Sequence, residues 1–438
     1  MRAFLWACVV MLLAPEAKAE IDIQEVTSPG GISAWLVEDN AIPFVALELR
    51  FKGGASLDLP GKRGATYLMA GLLEEGTGDL DARGFALAVE ELAADFEYDA
   101  SDDSVAISAK FLTETTKPAI ALLRRTIVEP SFNQSALDRV RAQVLSGIAS
   151  DQKDPNTLAQ HAFERATFGE HPYSMPLEGT EGSVTAFTRE DMITAHKNAL
   201  AKDRVFVSVV GDINAEELGV ILDALLGDLP ATGAPIPEEA PFNLEPGIRV
   251  LTFETPQSVA VFGHTGVERN SPDFLTAFVV NTIFGGGGFE ARLMNEVRVK
   301  RGLTYGIYSY LMPKDYADLY MGRFSSANDR IAEAIAVIKE EWARIAEEGV
   351  SQEELDEAKI YLTGAYPLRF DGNARIANIL VGMKMDNFGI DYVKTRNDQV
   401  RALTLEEVNR VAREMFRPEE LAFFVVGQPV GLTETITQ

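Results

Sequence analysis

Cysteine and histidine are nearly missing from this chain: 438 residues contain one cysteine, Cys8, and four histidines, His161, His171, His196 and His264. One cysteine cannot form an internal disulfide, so the fold has to be held by its core. The length is ample for two or more domains. Four scattered histidines leave little for a multi-histidine metal site. His161 and Glu164 make a helical i, i+3 pair, but no second histidine lies a turn away. His171 reads as a turn residue that fixes local hydrogen bonds, and His196 and His264 as lone residues in ordinary elements. Beyond the N-terminus there is no long apolar run, so no membrane span is expected.

Positive charge is also in deficit. Forty Lys and Arg stand against 66 Asp and Glu, a net charge of −26. Such a field repels phosphates and argues against nucleic acid and anionic membranes. A soluble acidic surface is the plain reading, and a preference for basic peptides the sharper one. At the N-terminus, Arg2, an apolar run over residues 3–14 and Ala17-Lys18-Ala19 have the pattern of a cleaved secretory signal. The run is shorter than the roughly 20 residues a spanning helix needs. Cys8 lies inside it without a lipobox. Cleavage after residue 19 removes Arg2, Lys18 and Glu16, leaving a cysteine-free chain of net charge −27. The expected location is periplasmic.

The clearest shift in composition is residues 228–247, with Pro230, Pro235, Pro237, Pro241 and Pro246. Proline fixes φ and removes backbone donors, so this stretch reads as an extended linker. It separates residues 20–227 from residues 248–438. The two parts share landmarks. Arg204 to Asp212 and Leu421 to Gln428 each read as a buried strand running into a turn, and Asn133 and Ser351 each open a helix. Gly211 and Gly427 are 216 positions apart, and Asn133 and Ser351 are 218 apart. Nearly one offset indicates a duplicated unit. Residues 44–51, near their end, and residues 104–111 alternate as half-buried strands, while residues 64–75 and 215–226 have helical spacing. Strands grouped before helices give α+β: two homologous domains, each a largely antiparallel sheet with helices packed on it.

Several stretches, in order and spacing, resemble the pitrilysin/insulinase metallopeptidase family, especially its short bacterial members. Phe51-Lys52-Gly53-Gly54-Ala55-Ser56 resembles the turn before that family's zinc helix, and residues 64–77, with their closing Gly76-Thr77, resemble the helix itself. His171-Pro172-Tyr173 with Pro176 and Gly179, and Val209-Val210-Gly211-Asp212, are similar to further landmarks. Active members carry His-x-x-Glu-His there: two histidines one turn apart bind zinc, and the glutamate is general base. Those positions fall on Tyr67, Ala70 and Gly71 here, and the third ligand, a glutamate, falls on Gly147. A phenol ionises near pH 10 and is a poor ligand at neutrality. Alanine and glycine offer no donor. The resemblance therefore implies a degenerate zinc site, no metal held by this chain, and a protein inactive alone.

The second part keeps more. Gly285, Gly286, Gly287 and Gly288 form a loop that resembles the substrate-contacting loop of non-zinc processing-peptidase subunits. It lacks the Gly-Lys-Ser/Thr ending of a phosphate loop, and residues 290–300 after it read as helical. Arg298 and Tyr305 are seven apart and match the family's arginine–tyrosine pair, whose guanidinium and phenol donate to a peptide carbonyl and its developing oxyanion. Arg301 is a nearby competitor with the wrong spacing. Against this stands a surface pairing of Arg298 with Glu296 or Glu290, with Tyr305 an ordinary strand residue. What the resemblance implies is a non-metallated subunit of a heteromeric peptidase. Arg298 and Tyr305 would act in trans at the zinc of a homologous partner, with peptides held by strand addition. The other reading is a structural or peptide-binding periplasmic protein without a catalytic role.

Overall fold

A computed structural model of the chain describes residues 21–433, 435 and 436. The leader reading of residues 1–19, with Cys8, lies outside the described residues. In chain order the strands are β1 (Gln24–Thr27), β2 (Ser33–Glu38), β3 (Phe44–Lys52), β4 (Gly76–Thr77), β5 (Leu80–Asp81), β6 (Asp95–Ala100), β7 (Ser104–Leu112) and β8 (Val205–Gly211). The second half adds β9 (Gly247–Thr252), β10 (Gln257–Thr265), β11 (Ile307–Pro313), β12 (Asp318–Ala327) and β13 (Ala422–Gly427).

These strands make two large sheets, ordered β1-β2-β8-β3-β7-β6 and β11-β12-β10-β13-β9. Reversing the second and setting β1 aside gives one topology twice. In both, the first and last strands of the half pair in parallel, β2 with β8 and β9 with β13. The remaining pairs are antiparallel. The fold is α+β with two homologous halves. The shared landmarks coincide with this symmetry. Asn133 and Ser351 are the N-caps of helices Gln134–Asp151 and Gln352–Ala365. Gly211 and Gly427 end equivalent strands at φ +144° and +152°, where a Cβ would lie 2.3 Å from Phe44 O and from Ser258 Oγ respectively. Only glycine fits at both.

β7 alternates buried and half-exposed residues as its sequence predicts. β3 alternates in the same way only near its end, at Leu49, Arg50 and Phe51; its middle residues are buried on both faces. The cause is an exchange of helices between the halves. Helix Asn373–Met385, from the second half, packs under the first sheet, with Ala377 and Leu380 against Trp35, Val37, Ala46 and Val210. It is tied there by Ser208 Oγ donating to Ala377 O and, near its C-terminus, by Lys384 Nζ donating to Ser33 Oγ at 2.8 Å. Reciprocally, helix Pro155–Phe168 of the first half packs under the second sheet, where Phe163 meets Phe424 edge-on at 5.6 Å. Between helix Ala215–Leu226 and β9 the chain carries no helix or strand. It is pinned as it passes, Ala240 N donating to Tyr316 O and Asn243 N to Thr167 O, each at 2.8 Å.

Candidate functional site: a metal-type cleft without donors

Helix Ala65–Gly71 is short because Gly64 (φ +95°) starts it sharply and Gly76 (φ +130°) turns the chain away soon after; residues 72–75 were expected to continue it. Asp58 stands in for a cap. Its half-buried carboxylate accepts from Gly64 N at 2.8 Å, Thr66 N at 2.9 Å and Thr66 Oγ1 at 2.7 Å. Arg63 anchors the entry, donating to Ala55 O at 2.7 Å and Pro176 O at 3.0 Å and pairing with Asp102. Asp102 also takes Lys314 Nζ at 2.5 Å from the β11–β12 turn, so the second half braces this end of the helix. Burial works against the Asp102 charge, yet Lys314 and Arg63 hold its carboxyl below the usual range.

The helix lies against β6 and helix Gln134–Asp151. Between the three opens a cleft of about 380 Å³, and Tyr67, Ala70, Gly71 and Gly147 all line it. Four positions spread over the sequence thus converge on one hollow. A metal does not fit the residues found there. Burial first, then Glu178, Asp99 and Asp151, push the Tyr67 phenol above its ordinary range, away from the phenolate a metal needs. Ala70 is buried and donorless. Space itself is not the obstacle: a Cβ at Gly147 would meet nothing within 4 Å, and one at Gly71 only Val140 at 3.7 Å. Among the described residues no group of three or more His, Cys, Asp or Glu is placed to hold a metal ion.

The histidines lie elsewhere. His161 lines a neighbouring groove between the halves, and Glu164, its partner in sequence, accepts from Gln160 instead at 2.8 Å. Burial raises the Glu164 carboxyl to about 7 and lowers His161. His171 Nδ1 accepts from Tyr173 N at 3.2 Å, the local role its turn suggested, and His196 Nε2 meets Ile127 O at 2.7 Å. His264 is fully buried: Trp342 Nε1 donates to its Nε2 at 3.1 Å, so its Nδ1 carries the proton toward Thr265 O at 2.7 Å.

In the second half the glycine run is a wide helical turn, Thr282–Gly286, followed by a tighter one, Gly288–Glu290. The helix expected over residues 290–300 is instead a π-helical stretch, Met294–Val299. A Cβ at Gly285 would lie 2.2 Å from Ser309 Oγ and one at Gly287 2.5 Å from Thr282 O, so the turn sits closely on β11 and its own backbone. The competing arginine is taken. Arg301 donates to the Glu296 carboxylate at 2.7 Å and to Glu296 O at 2.8 Å, and Lys300 binds the same carboxylate at 2.6 Å. Arg298 does not pair with Glu296 or Glu290; its guanidinium lies 4.7 Å over the Phe289 ring. Tyr305 is 80% exposed and, among the described residues, makes no hydrogen bond. All residues lining the cleft come from the first half, so Arg298, Tyr305 and the glycine turn are not among them.

Sequence reasoning passed over Glu74, Asp99, Asp151 and Glu178, which also line the cleft. The signal was there in Asp95-Phe96-Glu97-Tyr98-Asp99-Ala100, an acidic, alternating strand beside the helix.

Comparison with known proteins decides the family. Residues 34–181 match the model for insulinase, peptidase family M16, and residues 186–362 that for the peptidase M16 inactive domain. The chain belongs to the M16 peptidase family. It is 27% identical over 391 residues to a Helicobacter pylori protein described as the non-peptidase homolog YmxG, covering 89% of this chain and 90% of that one. A Bacillus subtilis relative described as an uncharacterized zinc protease, YmxG, is 23% identical over 90% of this chain and 96% of its own length. A solved M16 inactive domain from Pseudomonas fluorescens superposes with a TM-score of 0.89 at 27% identity, over 95% of this chain and all of that one. Taken with Ala70, Gly71 and Gly147, which place no donor in the cleft, this makes the chain an inactive M16 member, similar to that non-peptidase homolog. No helix among the described residues is long and apolar enough to cross a membrane.

Proposed function

We propose that this chain is the non-metallated subunit of a heteromeric M16 peptidase. A homologous partner bearing His-x-x-Glu-His supplies zinc, water and general base. This chain supplies half of the enclosure, the turn at Gly285, Gly286, Gly287 and Gly288 as a peptide contact, and two donors, Arg298 and Tyr305. The carrying observation is an asymmetry of commitment. Ala70, Gly71 and Gly147 offer a metal no donor and Tyr67 only a phenol, while among the described residues Arg298 and Tyr305 are bound by no carboxylate or carbonyl. A guanidinium and a phenol O–H both stabilise the oxyanion that develops on a scissile carbonyl, and do so more strongly than they bind the carbonyl itself. Peptide would be held in extended form by addition to a sheet edge. The reading includes the division of the chain at residues 228–247, a cleaved leader over residues 1–19 and a periplasmic location.

The test is reconstitution with the His-x-x-Glu-His homologue from the same genome, followed by cleavage of a quenched fluorescent peptide. Cleavage should rise when this chain is added. Arg298→Ala or Tyr305→Phe should lower kcat by about 10²- to 10³-fold, the range for one oxyanion donor. A partner that cleaves equally fast without this chain would refute the pair, and so would variants that support the full rate.

A further inference from the structure

We propose that the cleft receives the ammonium or guanidinium of a basic peptide laid along the free edge of β6. This deepens the preceding function by naming the class of peptide, and it rests on the reading that the chain holds peptides in extended form. Among the described residues β6 is the last strand of its sheet and pairs only with β7, so its outer N–H and C=O groups are open to another strand. Tyr98, Asp99 and Ala100 of this edge form one wall of the cleft, so a side chain of an added strand has a hollow directly beside it.

The occupant's charge follows from the lining. Glu74, Asp99, Asp151 and Glu178 have no ion-pair partner among the described residues, whereas Glu75 is held by Arg139. Among the described residues no lysine or arginine lines the cleft. A basic side chain supplies the missing countercharge. Its aliphatic stem suits the apolar floor of Leu68, Val140 and Val144. The Tyr67 ring offers a face to the cation. The space is open because residues 71 and 147 are glycine, with room at both for a Cβ. Loss of the metal donors thus leaves a cation-shaped vacancy in the chemistry, filled from the peptide. An acidic peptide meets only repulsion there.

Binding of two fluorescein-labelled hexapeptides to the full chain, one alternating valine with arginine and one alternating valine with glutamate, tests this by anisotropy. The arginine peptide should bind at least tenfold more tightly, and its affinity should fall as salt rises. Each of Asp151→Asn, Glu178→Gln and Asp99→Asn should weaken it about 2- to 5-fold, as expected for partly exposed charge pairs. Gly147→Lys, which sets an ammonium where the peptide's should sit, should abolish the preference. Equal binding of both peptides, no binding of either, or a preference that survives Gly147→Lys overturns the proposal. The two readings fail separately. A chain that promotes cleavage by its partner but binds both peptides alike loses only the basic cleft, and one that prefers arginine yet adds nothing to the partner loses only the pairing.

Discussion

The two halves share one strand order, yet they present opposite chemistry beside their outer strands. Next to β6, the first half has carboxylates around a hollow with glycine at residues 71 and 147. Around the start of β11, the second half exposes Tyr305, Tyr308 and Phe289, with Arg298 stacked on the last. The first cleft gathers acceptors, and the second surface presents donors that no acceptor among the described residues engages. A duplicated fold tolerates this because β-sheet and core are set by buried positions, while the chemistry sits on short helices and turns.

Putting the metal donors back is the bluntest way to break the contrast. Tyr67→His, Ala70→Glu, Gly71→His and Gly147→Glu together should convert a chain without a zinc site into one that retains zinc after desalting. Its affinity should be about 10- to 100-fold below that of an active relative, the cost expected when ligands are restored without the outer groups that orient them. Metal content of the purified protein is the readout, and zinc in the unaltered chain at one equivalent would contradict the cleft as described.

The exchanged helices predict that the halves, different as they are, unfold together. Phe163→Ala should cost about 3–5 kcal/mol and Leu380→Ala about 2–5 kcal/mol, each side chain being fully buried under the opposite sheet. Calorimetry should show one transition shifting as a whole in both variants. Two separable transitions would break the interdependence.

A buried histidine makes the second half sensitive to acid. Burial holds His264 at about 4, well below its ordinary value, so the folded state keeps it neutral where the unfolded chain would protonate it. Stability from this group is therefore complete above about pH 6.5 and is lost as pH falls toward 4, amounting to about 3 kcal/mol in total. Urea midpoints between pH 7 and 4.5 should decline in the parent and decline less in His264→Gln.

Glycine supplies the smallest effects, and they should differ in sign. Gly285→Ala should destabilise by about 1–3 kcal/mol, since its Cβ would press on Ser309. Gly147→Ala, with open space around it in a helix interior, should stabilise by about 0.5–1 kcal/mol. Thermal midpoints settle both.

Much of this was legible in the chain itself. The near-constant offset between Gly211 and Gly427, and between Asn133 and Ser351, marks the duplication because strand-end glycines and helix caps are local requirements. The convergence of Tyr67, Ala70, Gly71 and Gly147 followed from helix spacing combined with resemblance. The double burial of β3 was not legible, because its second cover arrives from residues 373–385, and no local pattern in β3 records that distant partner. The wide turns at residues 282–286 and 294–299 escaped too, since apolar spacing does not separate a π-helical turn from an α-helical one. Nor did sequence show that Arg301 is spent on Glu296 while Arg298 is not.

The helix exchange makes the molecule an internal dimer whose protomers happen to be covalently joined. Each half alone would leave an apolar sheet face bare, with Trp35 and Val210 uncovered on one side and Phe424 and Val261 on the other. A protease nick within residues 228–246 should therefore yield two fragments that co-elute until denatured, and separate expression of either should give insoluble material. For a protein proposed to work beside a partner, motion belongs at the boundary between chains, and the join within this one acts as a weld.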